Sequence, residues 1–131
     1  MDQMKLSIAV TIVASLLSGI IGVIISTVYH RRYEKQRMKI ETLKAFVGYR
    51  YDLKGDSFSR ALNEIFLVFH DSTKVLTLLS KYHSKVTARQ PSEDELVRLF
   101  KAMCDDVGMK YDEFNDSFFL KPFNTRPSGM A

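Results

Sequence analysis

Residues 6–29 read LSIAVTIVASLLSGIIGVIISTVY, and this stretch decides the architecture because it carries no formal charge and is mostly aliphatic. As a helix it rises about 36 Å, enough to cross a hydrocarbon core of about 30 Å with some tilt. A buried helix of a soluble protein seldom stays apolar on every side for this length. The sequence therefore predicts a short N-terminus and one transmembrane helix within residues 1–29.

Charged residues beside the apolar stretch indicate its orientation. Residues 30–47 hold six basic and two acidic side chains, whereas residues 1–29 hold one of each. The positive-inside rule places the C-terminal side in the cytoplasm and the N-terminus outside. A cleavable signal peptide would need basic residues before a shorter apolar run. The side chains expected at the membrane surface are Arg31, Arg32, Lys35 and Arg37.

The basic excess of the chain lies in this juxtamembrane segment. The net charge is +4, yet residues 48–131 hold twelve basic and twelve acidic side chains. A general nucleic-acid-binding surface needs a basic patch on the folded domain. The expected partner of the basic residues is therefore the lipid bilayer and not nucleic acid.

Small residues recur every four positions in the apolar stretch and share one strip of the helix. Membrane helices associate by close backbone approach and hydrogen bonds at such residues, because lipid provides no hydrophobic drive between helices. We predict a homo-oligomer whose interface is the uninterrupted row Ala14, Ser18, Gly22 and Ser26.

Residues 30–47 contain no glycine or proline and are rich in helix formers, so the helix is expected to continue as a juxtamembrane rod. Tyr33, Ile40 and Val47 are spaced by seven, with Leu43 between the last two. This spacing suits a short coiled seam between copies of the chain.

Residues 48–123 are predicted to form a helical cytosolic domain after a glycine-containing hinge at 48–56. Asp56 or Ser57, Asp71 or Ser72, and Ser92 with Glu95 as a capping box are the expected helix starts. Gly108 is expected to end the third helix. The run at 65–69 suits either helix or strand. Side chains expected inside are Phe58, Ala61, Leu62, Ile65, Phe66, Phe69, Val75, Leu79, Tyr82, Val86, Leu96, Leu99, Phe100, Met103, Cys104 and Val107.

An aromatic-rich strap, extended or briefly helical, is expected at 111–123, and a disordered tail at 124–131. The fold class is thus all-α: one transmembrane helix continuing into a rod, followed by a small helical bundle with a C-terminal aromatic strap. A domain with a core this small is usually only marginally stable as a monomer. Association would add stability, which also favours an oligomer.

Three motifs carry a resemblance to a known family. They read A-L-N-x-x-F at 61–66 followed by V-F-x-D-S-x-x-V at 68–75, L-x-x-A-M-x-x-D-V-G at 99–108, and N-D-S-F-F-L-x-P-F at 115–123. The chain resembles, over about residues 30–125, a family of small uncharacterised bacterial proteins, many with one N-terminal membrane helix. The resemblance implies a single-pass protein of the bacterial inner membrane with a helical cytosolic domain, and it implies no activity.

Catalysis requires a nucleophile, an acid–base pair or metal ligands that converge on one pocket. His70 and Asp71 form a dipeptide seen in metal-dependent phosphohydrolases, but the only earlier histidine, His30, is at the membrane surface. Cys104 has the spacing of a core residue, which favours a structural thiol. Phosphate loops, dinucleotide-binding glycines and serine elbows do not occur. We predict no catalytic residue, no metal site, no cofactor and no enzyme.

The remaining polar residues favour recognition, because they fall at loops and helix ends. Basic groups there could hold a phosphate and, around an oligomer axis, a cyclic nucleotide. The alternative is that they belong to the ordinary surface. The expected ligand-binding residues are Arg50, Lys54, His70, Lys74, Asn115 and Asp116.

Two functions fit these features. The first is an oligomeric membrane sensor and effector that binds a small signal, such as a nucleotide second messenger, and acts on the membrane through its spans. Several small bacterial antiviral effectors share this architecture, which is an analogy at the level of the fold. The alternative is a non-enzymatic tether or regulatory subunit that holds a protein partner at the inner membrane.

Overall fold

The computed structural model describes residues 2–113 and 115–125, and over these residues the only regular structure is helical. This confirms the all-α class. Phe114 of the predicted strap and residues 126–131 of the predicted tail lie outside the described part. The helices are α1 (Asp2–Gly48), α2 (Asp56–Val68), α3 (Thr73–Thr87), α4 (Glu93–Val107) and α5 (Asp116–Leu120).

The chain divides into two compact units, residues 1–35 and residues 36–131. In the first unit, every described residue up to Tyr33 is exposed in the single chain. Within the described residues, α1 is the one helix long and apolar enough to cross a membrane. The hydroxyl of Thr11 donates to the carbonyl oxygen of Ser7 at 2.9 Å, so this polar group is satisfied within the helix.

The second unit begins inside α1, whose last turns supply part of its core. Leu43 is 2% exposed and Phe46 is fully buried. The Phe46 ring lies 5.5 Å from that of Phe58 on α2 and 6.1 Å from that of Phe119 on α5. The coiled seam expected between copies is therefore wrong at Leu43, because this side chain packs within its own chain.

Helix α2 resolves the ambiguity at 65–69, since it continues through Val68 and Phe69 is its C-cap. Its buried residues Phe58, Ala61 and Ile65 follow helical spacing. Helix α3 packs against α2 and α4, and α5 packs against α4. The bundle thus buries one face of each helix.

Two residues expected inside are on the surface instead. Phe66 is 67% exposed and Val86 is 47% exposed. Phe66 follows the buried Ile65 by one position, which turns its side chain about 100° around the helix. The core side of α2 is already occupied by Phe58, Ala61 and Ile65, so Phe66 faces away from it.

The helix ends match the expectations in part. Ser72 caps α3 by accepting from the Val75 amide at 3.3 Å, and Gly108 ends α4 with a left-handed φ of 75°. The caps expected at Asp56 or Ser57 are wrong, since Gly55 is the N-cap of α2.

The capping box of α4 is also wrong. Ser92 is the N-cap, but its ψ of 12° departs from the extended conformation that directs the side chain toward the helix, and it makes no side-chain cap bond. Glu95 lies near Lys85 instead, with 3.8 Å between Nζ and Oε1.

Candidate functional site

A buried lysine and two aspartates form the most enclosed charge cluster among the described residues. Lys39 on α1 has a side chain only 6% exposed, and its Nζ lies 2.6 Å from Asp106 Oδ2 and 3.0 Å from Asp71 Oδ1. The Lys39 ammonium also lies 5.5 Å from the centre of the Phe69 ring. These contacts join α1, the α2–α3 junction and the end of α4 at one cation.

The electrostatics of this cluster favour the charged lysine. Burial is the largest single influence and disfavours the ammonium, but hydrogen bonds and charge attraction from Asp106 and Asp71 outweigh it. The net result raises the pKa of Lys39 above its ordinary value. A lysine whose charged form is favoured and whose ammonium contacts two carboxylates acts as a structural clasp.

Gln36 strengthens the same junction one turn earlier. Its side-chain amide donates to the carbonyl oxygen of Val107 at 2.8 Å. This carbonyl belongs to the last turn of α4, where backbone acceptors lack partners inside the helix. Gln36 of α1 therefore caps the end of α4, while Lys39 binds Asp106 of the same helix.

Arg50, the first of the predicted ligand-binding residues, is engaged with the protein itself. Its guanidinium donates through Nε to the carbonyl oxygen of Phe119 at 2.9 Å and through a second nitrogen to that of Val47. It also lies 5.3 Å from the centre of the Phe119 ring. Burial lowers the pKa of Arg50 relative to its ordinary value. Arg50 thus fastens α5 to the end of α1.

His70 and Lys74 lie at the other junction. The ring nitrogen Nδ1 of His70 is 3.0 Å from the carbonyl oxygen of Leu67, and Lys74 Nζ is 3.7 Å from Asp105 Oδ2. Their neighbour Asp71 binds Lys39.

Asn115 and Asp116 are used by α5. The Asn115 side chain is the N-cap, accepting from the Phe118 amide at 2.7 Å, and Asp116 Oδ1 is 3.1 Å from Lys101 Nζ. Lys54 is exposed in the loop before α2. Five of the six predicted residues thus fall at two separate junctions and Lys54 lies apart from both, and the role of all six as ligands stays a prediction.

An open groove between α2 and α3 is the concave surface that the motifs did not indicate. It has a volume of about 680 Å³. None of the six predicted ligand residues lines it. Its lining residues, which define the α2–α3 groove, are Leu53, Ser59, Leu62, Asn63, Phe66, Leu76, Leu79, Ser80, Tyr82, His83 and Val86.

The composition of this groove is mainly apolar with a polar edge. The exposed residues Phe66, Val86 and Leu53 all line it, and Leu53 is 50% exposed. Ser59, Asn63, Ser80 and His83 supply hydrogen-bonding groups along its sides. Such a surface is suited to binding apolar groups.

Cys104 has the environment of a structural thiol. It is fully buried in the core, and burial, with Asp105 nearby, raises its pKa to about 11. The thiolate, which is the reactive form, is therefore scarce near neutral pH. In the described residues no group of three His, Cys, Asp or Glu side chains could hold a metal ion.

The sequence does contain a pattern that indicates the burial of Lys39, which the motifs did not indicate. Lys39, Thr42, Leu43 and Phe46 lie at i, i+3, i+4 and i+7, which is the buried stripe of an amphipathic helix. Lys39 belongs to this stripe and not to the basic surface. No equivalent signal marks the groove, because apolar spacing alone does not tell which face of α2 stays uncovered.

Comparison with known proteins connects this geometry to a family. A family model described as a family of unknown function (DUF6680) matches residues 4–116, from the apolar part of α1 to the start of α5. No curated protein and no solved structure gives a significant match. The resemblance to an uncharacterised family is thereby confirmed, and the family description carries no activity.

Proposed function

This chain belongs to the DUF6680 family, and we propose that it is a non-enzymatic recognition module that holds a protein partner at the bacterial inner membrane. The single observation that carries this proposal is the α2–α3 groove, where apolar side chains remain uncovered. Phe66 alone leaves 67% of its surface exposed. Uncovered apolar clusters of this kind are typical of protein interaction sites.

The proposal places the α1 apolar stretch across the membrane with the N-terminus outside and the domain in the cytoplasm. The length and apolarity of α1 support the span, and the basic residues after Tyr29 support this orientation. Arg31, Arg32, Lys35 and Arg37 would lie at the anionic headgroups. Residues 36–131 then form a domain held close to the membrane.

The engagement of the predicted ligand residues supports a protein partner over a nucleotide. Arg50, Asn115 and Asp116 already bind groups of the chain itself. A phosphate at Arg50 would have to replace its bonds to two backbone carbonyls, which would remain without a donor. A protein partner that binds in the α2–α3 groove would not have to replace these hydrogen bonds of Arg50.

The test is photo-crosslinking in the native cells. A photoreactive amino acid in place of Ser80, at the edge of the groove, is expected to give one protein adduct in the membrane fraction. The same amino acid in place of Lys110, which is exposed and outside the groove, is the matched control. The proposal fails if no protein adduct forms at Ser80, or if Lys110 gives the same adduct in equal yield.

A second candidate function is the oligomeric sensor and effector. The small-residue row Ala14, Ser18, Gly22 and Ser26 supports it, since all four residues are exposed in the single chain. This function requires a specific span, whereas a tether does not. Replacing the span with an unrelated one should abolish an effector and leave the Ser80 adduct of a tether unchanged. A thermal shift with cyclic or linear nucleotides would favour the sensor.

A further inference from the structure

We draw no further inference here: the strongest candidate, the apolar α2–α3 groove with its exposed Phe66 and Val86, belongs to the site already described, and nothing in the structure shows what covers it.

Discussion

The two parts of α1 differ in pattern although the helix is continuous. From Asp2 to Arg32 every described residue is exposed in the single chain, and the aliphatic side chains point in all directions. From Lys39 to Phe46 the buried residues follow i, i+3, i+4 and i+7, and they belong to the core of the domain. The number of apolar residues identifies the first part, whereas their spacing identifies the second.

This comparison predicts a large loss of domain stability when an apolar side chain is truncated in the second part of α1 and almost none in the first part. Phe46→Ala should destabilise the domain by about 3–5 kcal/mol, because it removes a fully buried ring that contacts Phe58 and Phe119. Val23→Ala in the apolar part should change the free energy of unfolding of the domain by less than about 0.5 kcal/mol. Urea unfolding in detergent, followed by tyrosine fluorescence, measures both. Equal effects would contradict the division of α1.

The second prediction concerns the charge buried in the second part. Lys39→Met should destabilise the domain by about 3 kcal/mol, because Asp71 and Asp106 would lose their shared cation. Adding Asp71→Asn and Asp106→Asn should recover most of that loss. Lys44→Met, at an exposed position of the same helix, is the control and should have little effect. Urea unfolding of the native chain and the three variants decides the outcome, and failure of the two added Asp→Asn replacements to recover stability would contradict the clasp.

The pH dependence of the clasp has a definite sign. The pKa of Lys39 is raised above 10.5, so its contribution is fully present below pH 10.5 and is lost as the pH rises through the folded value. Burial also raises the pKa of Cys104 to about 11, which gives a loss in the same direction above the ordinary thiol pKa. The urea midpoint of the native chain should therefore fall more steeply in this alkaline range than that of Lys39→Met. Parallel curves would contradict the prediction.

Much of the fold follows from local sequence patterns that have a direct physical cause. The apolar length of α1, the spacing in α2 to α4, the Ser72 cap and the Gly108 stop are all local features, and the structure contains them. The capping box at Ser92 fails although its residues are present. A cap depends on the backbone angles of one residue, which the residue types do not determine.

The site was harder to predict because it depends on which helix faces stay uncovered. None of the predicted ligand-binding residues lies in the groove, and Phe66 and Val86 have the same spacing as core residues. The predicted binding residues Arg50 and Asn115 were selected as polar groups at helix ends, where capping and binding need the same chemistry. The Asn115 cap is a local contact with the Phe118 amide, whereas the fastening role of Arg50 depends on a contact with the distant Phe119 carbonyl, which the sequence does not reveal.

A third prediction tests the hinge that follows the buried part of α1. Arg50→Gln should destabilise the domain by about 1–2 kcal/mol, because it leaves the carbonyl groups of Val47 and Phe119 with weaker donors. Helix α5 should then exchange its amide hydrogens faster, while α3 changes little. Lys54→Gln, in the same loop, is the matched control. If hydrogen exchange shows equal protection of α5 in both variants, Arg50 does not fasten it.

Substitutions in the apolar part of α1 are expected to have the smallest effect on the stability of the domain. They should instead affect the association of copies of the chain. Ser18→Ile combined with Gly22→Ile should leave the urea midpoint of the domain unchanged, since neither residue belongs to the hydrophobic core of the domain. If the row forms the proposed interface, bulky residues prevent close approach of helices and the oligomer should dissociate. The control is Ile20→Leu with Ile21→Leu, which conserves volume on neighbouring faces. Sedimentation in detergent measures both pairs. An oligomer that survives Ser18→Ile with Gly22→Ile would remove this row as the interface and leave α1 with the role of an anchor.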